Sequence, residues 1–152
     1  MTNLKEFTLK FMESSCVFCK IISSPEPNPN VIFENDQVLI LLDIDWAVKG
    51  HVLVIWKEHH KNLSDLNPED ASSFSEYVYR CEKQLLEFLD LKRSIILKTG
   101  GLVSHFHFHV YPVAEDLDWD SIKKVFDKKI QYQCSEQEKL EFVEKLRMDL
   151  RF

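Results

Sequence analysis

The sequence predicts an α+β domain, in which about five antiparallel strands pack against one long helix and extra helices follow at the C-terminal end. Short runs rich in β-branched and aromatic residues alternate with turns, which is typical of strands. One long segment before the last two of these runs has apolar residues every three or four positions, which predicts a buried helical face. This order of elements favours an antiparallel sheet covered by helices.

Length and charge limit the possible functions. The 152 residues are 45% hydrophobic and contain no repeat or linker, so we expect one domain. The formal net charge is −6 (19 Lys+Arg against 25 Asp+Glu), which argues against binding to nucleic acid or to an anionic membrane. No apolar run approaches the roughly 20 residues that span a bilayer, and no secretory signal pattern is present. We therefore expect a cytoplasmic protein.

The N-terminal region predicts short helical elements followed by a loop. Residues 4–12 fit a short amphipathic helix, and we treat residues 1–15 as an N-terminal extension. Residues 16–22 predict a helical turn. Three prolines within five residues make 23–30 a loop, because proline lacks a backbone donor and disfavours helix in its neighbours.

Three strands and the long helix follow. Residues 31–33 and 37–43 predict a hairpin, and residues 51–56 a third strand. Asn67 and Pro68 are a favourable N-cap and first helical residue, so the long helix starts there and runs to about residue 90. Its predicted buried face consists of Ala71, Phe74, Val78, Cys81, Leu85 and Phe88.

The C-terminal part predicts two more strands and two more helices. The strands are residues 94–97 and 105–113, joined around the only glycine pair. A short helix is expected near 120–130. A capping box at 135–138 predicts the start of a final helix with one apolar face: Leu140, Val143, Leu146 and Leu150. We assign residues 16–113 to the main domain and 114–152 to a helical extension packed on it.

Three histidines alternate along the last predicted strand. Because side chains alternate across a strand, His105, His107 and His109 share one face, while Phe106 and its apolar neighbours Phe108 and Val110 share the other. Such a row can be simple strand surface, a metal site or a catalytic cluster. A neutral imidazole held at one nitrogen can attack phosphorus, and flanking histidines can carry protons and hold phosphate oxygens.

The histidine strand resembles the signature of the histidine triad (HIT) family of nucleotide hydrolases and transferases. Further stretches resemble the family in the same order, namely residues 16–22, 31–36, 42–44, 50–55 and 57–59. The resemblance extends from about residue 16 to 112, whereas the first 15 and last 40 residues carry no motif of the family. It implies a HIT-like fold.

The resemblance also implies roles for individual residues. His107 would receive a nucleotidyl group, His109 would contact the α-phosphate and assist the leaving group, and His51 would support the cluster. Asp43 would bind the ribose hydroxyls, as a carboxylate accepts two hydrogen bonds at once. Four apolar residues match positions that line the base pocket, although plain core packing explains them equally well: Phe18, Ile21, Leu41 and Ile44.

The loop before the triad departs from the family pattern. Residues 98–104 are shorter than usual and lack the expected Asn and Gln. Lys98 stands in place of the Asn, where it is either a phosphate contact or a solvated side chain. Trp56 stands where the family usually has proline. These differences affect the expected leaving group more than the chemistry, because the histidines are intact.

A CxxC pair, Cys16 and Cys19, is by itself a weak signal, since two thiols can be redox-active or merely buried. The resemblance implies a structural zinc bound by these two cysteines with His59 and His105. Such a Cys2His2 set leaves no open position for catalysis. His60, beside His59, is expected to be exposed.

The resemblance favours an enzyme that cleaves the α-phosphate bond of a purine nucleoside phosphoramidate or a dinucleoside polyphosphate. It would do so through a nucleotidyl-histidine intermediate. Two alternatives remain open at this point: a zinc-bearing nucleotide-binding or protein-interaction module with little turnover, and a nucleotidyltransferase. The family also leads us to expect a homodimer.

Overall fold

A computed structural model describes residues 15–149. The predicted helix over 4–12 and nearly all of the N-terminal extension lie outside these residues. The elements, in chain order, are α1 (Val17–Ser23), β1 (Val31–Glu34), β2 (Val38–Leu42), β3 (Val52–Trp56), a 3-10 turn (Leu63–Asp65), α2 (Pro68–Leu89), β4 (Arg93–Leu97), β5 (His107–Val113), α3 (Trp119–Phe126) and α4 (Glu136–Asp149).

The strands form one antiparallel sheet in the order β1-β2-β3-β5-β4. This confirms the α+β class, the five strands and the placement of the long helix between β3 and β4. In the register of the central strands, His107 lies opposite Ile55 and His109 opposite Leu53. The histidine strand is thus paired on both sides and held in the middle of the sheet.

The two faces of the sheet have different coverings. One face packs against α2 and α4 and forms the largest core cluster, which includes Phe74, Phe106 and Phe142. The other face packs against α1 through a smaller cluster of Phe18, Leu39, Leu41, Leu53 and Ile55. Because side chains alternate, Phe106 and Phe108 pack on the α2 side, and His107 and His109 face the α1 side. The predicted division of the histidine strand into an apolar face and a chemical face is confirmed.

The start of the histidine strand was predicted two residues too early. β5 begins at His107, and His105 lies in a bend before it. Pairing with β3 ends at His107 and Ile55, after which the side chain of His105 bonds to the carbonyl of Trp56. His105 is therefore not part of the regular strand, but its side chain still lies on the α1 side, next to Phe18 and the cysteines, as predicted for all three histidines.

The long helix matches its prediction. The Asn67 side chain accepts a hydrogen bond from the backbone N–H of Asp70 at 2.8 Å, and Pro68 is the first helical residue. Four residues of the predicted face are buried, namely Phe74, Val78, Cys81 and Leu85. Ala71 and Phe88 pack partly buried against the same core. Among the described helices none is long and apolar enough to cross a membrane.

The final helix begins at the predicted capping box and buries two residues of the predicted face, but Phe142 is buried in place of Leu140. The Ser135 hydroxyl accepts from the Glu138 N–H at 3.1 Å, and the Glu138 carboxylate accepts from the Ser135 N–H at 2.6 Å. Phe142, Val143 and Leu146 are buried, whereas Leu140 is 36% exposed. The prediction for Leu140 is wrong because the aromatic ring of Phe142 packs edge-on against Trp46 and takes the buried side. Leu150 lies outside the described residues.

Candidate active site

A cavity of about 370 Å³ opens on the α1 side of the sheet. Its wall combines α1, the ends of β2 and β4, the loop before β5, β5 itself and the segment after α3. The lining residues used below are Phe18, Ile21, Leu41, Asp43, Ile44, Asp45, His107, His109, Tyr111, Phe126 and Lys128. The side chains of β5 form its floor, so the histidine strand and the cavity belong to one site.

The tautomer of His107 is fixed by the backbone. Its Nδ1 lies 2.5 Å from the carbonyl oxygen of His105. A carbonyl oxygen can only accept a hydrogen bond, so Nδ1 carries the proton and Nε2 keeps a free electron pair. The edge of the Phe18 ring packs against the imidazole, with the ring centroids 4.9 Å apart. His107 is therefore a buried, oriented imidazole whose basic nitrogen belongs to the cavity side.

A second hydrogen bond connects His107 to His109, and a third connects His109 to His51. The two Nε2 atoms of His107 and His109 are 3.2 Å apart, and His109 Nδ1 lies 3.0 Å from His51 Nε2. With the His107 nitrogen as acceptor, His109 donates from Nε2 and accepts at Nδ1 from His51. The Asp43 carboxylate lies 3.7 Å from His51 Nε2 and 3.9 Å from His109 Nδ1.

Asp43, His51 and His109 bring together side-chain atoms that could bind a metal ion. The hydrogen bonds just described account for this close approach. No metal is required to explain it, because neutral imidazoles in alternating donor and acceptor roles satisfy the short contact between the two rings. The ring of His51 also stacks on Tyr111, with centroids 4.0 Å apart. Stacking and hydrogen bonding together fix the orientation of His109.

Burial keeps the cluster uncharged. Loss of hydration lowers the pKa of His51 to about 4 and, with repulsion from His51, lowers the pKa of His109 to about 4. The pKa of His107 is lowered by burial as well, against the opposing effect of its bond to the His105 carbonyl. Burial raises the pKa of the Asp43 carboxyl group, while the backbone N–H of Asp45 donates to it at 2.8 Å. At neutral pH the histidines are therefore free bases.

The four predicted metal ligands converge at the N-terminal end of β5. Cys16 Sγ and Cys19 Sγ each lie 3.4 Å from His105 Nδ1, and Cys19 Sγ lies 3.2 Å from His59 Nδ1. Zinc bonds of about 2.3 Å to sulfur and 2.0–2.1 Å to nitrogen give a sulfur-to-nitrogen separation of about 3.6 Å in a tetrahedron. The observed separations are within a few tenths of an ångström of this value, so the residues fit a zinc ion.

The orientation of His105 supports the same conclusion. Its Nε2 lies 2.6 Å from the carbonyl oxygen of Trp56 and must donate to it, which leaves Nδ1 unprotonated and directed at the cysteines. A ring nitrogen that donates to a carbonyl while the other binds metal is the usual arrangement for a histidine ligand. His60, in contrast, approaches the Glu58 carboxylate at 3.3 Å and has no place in the cluster.

The cavity includes five of the six predicted nucleotide-binding residues. Phe18 and Leu41 are buried core residues that also form its wall, and Ile44 is 71% exposed at its rim. Ile21 and Asp43 line it too. Lys98 does not line the cavity, and its Nζ instead donates to the Asn62 side chain at 2.8 Å.

Sequence reasoning missed several residues that line the cavity, among them Asp45, Tyr111, Phe126 and Lys128. The alternation that placed His107 and His109 on one face also places Tyr111 there, so that residue was recoverable from the pattern. Phe126 and Lys128 belong to the C-terminal extension, where no local pattern indicates that the chain returns to the site.

These features define a class of protein. It has an α+β fold, a cavity built on a histidine-bearing strand, and a Cys2His2 cluster next to that cavity. The chain belongs to the HIT domain family, whose model matches residues 24–116. That match includes the three histidines of the strand, His51 and His59. The two cysteines and the helices α3 and α4 lie outside it.

Several known proteins are similar to this chain. A HIT-like protein of Borreliella burgdorferi is 39% identical over 110 residues, which are 64% of this chain and 74% of that protein. Adenosine 5'-monophosphoramidase HNT1 of Saccharomyces cerevisiae is 28% identical over 138 residues, 84% of each chain. The crystal structure of a zinc-bound histidine triad family protein from Mycobacterium smegmatis has a TM-score of 0.67 at 26% identity, covering 91% of this chain and 96% of that one.

Proposed function

We propose that this protein is a hydrolase that cleaves the α-phosphate bond of a purine nucleoside phosphoramidate or a dinucleoside polyphosphate. The observation that carries the proposal is the His107 imidazole, whose Nδ1 donates to the His105 carbonyl and whose unprotonated Nε2 lies at the cavity and accepts a hydrogen bond from His109. Similarity to a yeast adenosine 5'-monophosphoramidase supports the phosphoramidate as the first substrate to test.

In the first step the electron pair of His107 Nε2 forms a bond to the α-phosphorus. The bond from phosphorus to the leaving group breaks, and the leaving group departs with its electron pair. His109 Nε2, which carries a proton and lies 3.2 Å from the nucleophilic nitrogen, gives that proton to the departing atom. The hydrogen bond from His107 Nδ1 to the carbonyl of His105 stabilises the ring as positive charge develops on it.

In the second step water replaces His107 on phosphorus. His109 Nε2, now without its proton, accepts a proton from the attacking water. The bond between phosphorus and His107 Nε2 breaks, and the nucleoside monophosphate is released. His51 keeps its hydrogen bond to His109 Nδ1 throughout, which holds the ring in the orientation that both steps need.

The remaining cavity residues would hold the nucleoside. The Asp43 carboxylate has one oxygen anchored by the Asp45 N–H and is the acceptor for the ribose hydroxyls. Phe18, Ile21, Leu41 and Ile44 provide an apolar surface for the base. Lys98 does not line the cavity and donates to Asn62 instead, so we do not assign it a phosphate contact.

We also propose that Cys16, Cys19, His59 and His105 hold one structural zinc ion. With four protein ligands the ion would supply mechanical support and no reactive position. It would fasten α1 to the bend before β5, where the carbonyl of His105 accepts the hydrogen bond from His107 Nδ1. The zinc-bound histidine triad neighbour supports this assignment.

The domain assignment and the assembly remain predictions. We propose that residues 16–113 form the catalytic domain, that 114–152 extend it, and that the protein acts as a cytoplasmic homodimer. A binding module with little turnover and a nucleotidyltransferase are the competing functions. They share the cavity but differ in the fate of the nucleotidyl group.

The proposal is tested by incubating the purified protein with an adenosine phosphoramidate and measuring AMP. We expect multiple turnovers with the wild type and a loss of at least about a thousandfold in His107→Ala, with circular dichroism unchanged. Equal activity of the variant would contradict the mechanism. Absence of turnover by the wild type would favour the binding module, and a new product when inorganic phosphate is added would favour the transferase.

A further inference from the structure

One cation in the wall of the cavity has no role in the mechanism above. Lys128 follows α3 and lines the cavity, together with Phe126 from the end of that helix. It is the only lysine or arginine among the described residues that line the cavity. Asp43 and Asp45 line it too, so with neutral histidines the wall carries one positive and two negative charges. An anionic nucleotide needs a cation in such a site.

The backbone holds Lys128 in place, and its side chain is half exposed. Its φ of +54° is in the left-handed region, and its N–H donates to the Val125 carbonyl at 3.1 Å, which ends the helical turn. Phe126 packs on Tyr111 with ring centroids 5.6 Å apart. The side chain of Lys128 is 52% exposed, and its Nζ contacts the Asp45 carboxylate at 2.8 Å.

This ion pair does not fix the ammonium group permanently. Exposed pairs between lysine and a carboxylate contribute little free energy, so exchange for a phosphate anion is easy. The positive charge of Lys128 also acts on Asp43, His51 and His109, which places it near the ribose acceptor and the general acid. Lys98, the cation that the sequence pattern indicated, does not line the cavity and donates to Asn62, although its charge acts on His107.

Building on the proposed function, we propose that Lys128 exchanges Asp45 for the phosphate of the bound nucleotide and is a phosphate-binding residue of this site. The C-terminal extension thereby completes the catalytic domain. The ligand is a nucleoside monophosphate or its ester or amide, and Lys128 binds the negatively charged oxygens of its phosphate.

The test compares binding of AMP with binding of adenosine, which lacks the phosphate, by calorimetry on the full-length protein. We expect Lys128→Met to weaken AMP binding about fivefold to tenfold while adenosine binding changes less than about twofold. Lys129→Met is the matched control, since that lysine pairs with Asp127 at 3.1 Å and does not line the cavity. It should leave both affinities unchanged.

A second comparison separates phosphate binding from simple neutralisation of Asp45. If Lys128 only neutralises Asp45, then Lys128→Met should have no effect on AMP affinity in an Asp45→Asn background. The proposal expects the same fivefold or larger loss there. Equal AMP affinity of Asp45→Asn and the double variant would overturn it, as would a loss confined to Lys98→Met. These binding measurements are independent of turnover, so a failure of the proposed hydrolysis would be seen separately in the His107→Ala comparison.

Discussion

At the scale of single residues, the site depends on which nitrogen of each imidazole carries its proton. Backbone carbonyls determine this for His105 and His107, because each ring places one nitrogen within 2.6 Å of a carbonyl oxygen. The unprotonated nitrogen therefore differs between the two rings: it is Nδ1 in His105 and Nε2 in His107. One is therefore directed at the cysteines, and the other is available at the cavity.

The buried histidines predict an acid-sensitive fold. His51 has a pKa of about 4 in the folded protein, against about 6.5 when unfolded, so the unfolded chain binds more protons between these values. The contribution of neutral His51 to the unfolding free energy is fully present above about pH 6.5 and is lost as the pH falls toward 4. For His51 alone this loss is on the order of 3 kcal/mol. Urea unfolding followed between pH 7 and pH 4.5 measures this change.

The control for the pH dependence is His51→Gln, which removes the titrating ring and leaves the cysteine cluster in place. We expect the unfolding free energy of this variant to fall less steeply as the pH is lowered, because the contribution of His51 is gone. Any contribution from the Cys2His2 cluster is common to both proteins. The pKa of Asp43 is raised in the folded protein, so its effect on the unfolding free energy has the opposite sign and occurs nearer pH 4. An identical slope in wild type and variant would show that the pKa of His51 is the same in the folded and unfolded states, which would contradict its lowered pKa.

Residue types and spacing were enough to find most of the site. The alternation of His107 and His109 predicted their common face, and the family motifs brought in His51, His59 and Asp43. The contacts that give each ring its tautomer were beyond sequence reasoning, since they depend on carbonyl groups whose direction is set by the bend at His105.

At the scale of elements, β5 and α1 together build the site. β5 is hydrogen-bonded to β3 and β4 on its two sides, so the spacing of its side chains is rigid. α1 is short, and its Phe18 packs both on the sheet cluster and edge-to-face with the ring of His107. The sequence predicted both elements, but it placed the start of the strand at His105, two residues before β5 begins.

The final helix gives a direct test of which face is buried. Phe142 is 6% exposed and packs edge-on against Trp46 and Phe88, with centroids 5.2 and 5.4 Å away. We expect Phe142→Ala to lower the unfolding free energy by about 3 kcal/mol, from lost burial and the cavity left behind. Leu140→Ala, on the exposed side, should cost about 0.5 kcal/mol. Chemical denaturation of the two variants measures the difference.

Equal costs for the two substitutions would mean that α4 is rotated relative to its described packing. Helical periodicity alone could not choose between the two faces. Leu140 and Phe142 are both apolar, and on the surface of the helix they flank Val143 on opposite sides. The choice depends on Trp46, a residue nearly one hundred positions earlier in the chain. Tertiary contacts of this kind are not encoded in local spacing.

At the scale of the whole molecule, the cysteine cluster and the reactive histidine are parts of one structure. The side chain of His105 belongs to the Cys2His2 cluster, and its backbone carbonyl receives the hydrogen bond from His107. Any ion that fixes His105 therefore also fixes the orientation of His107. Stability and reactivity are coupled through a single residue.

This coupling predicts the effect of losing a ligand. The wild type should contain about one zinc per chain by elemental analysis, and Cys16→Ser should lose the metal, several degrees of melting temperature and most of its activity together. Cys134→Ser is the matched control, because that part-buried cysteine lies far from the cluster and should keep metal and activity. A metal-free wild type of full stability would contradict the zinc assignment.

The return of the C-terminal extension to the site was the largest feature that the sequence did not reveal. Packing of α4 on the core was anticipated from its apolar face, yet nothing in the spacing of residues 119–128 indicates a contact with the cavity. The position of Lys128 follows from a left-handed residue after α3 and from its pairing with Asp45, both of which are properties of the folded chain.

The central claim is that His107 forms a covalent bond to the nucleotide, and the stereochemical course at phosphorus tests it most directly. The substrate is an adenosine phosphoramidate made chiral at the α-phosphorus with sulfur and oxygen isotopes. Each in-line displacement inverts the configuration, so attack by His107 followed by attack by water gives overall retention. We predict retention. Inversion would mean that water attacks the substrate directly, and it would contradict the role assigned to His107.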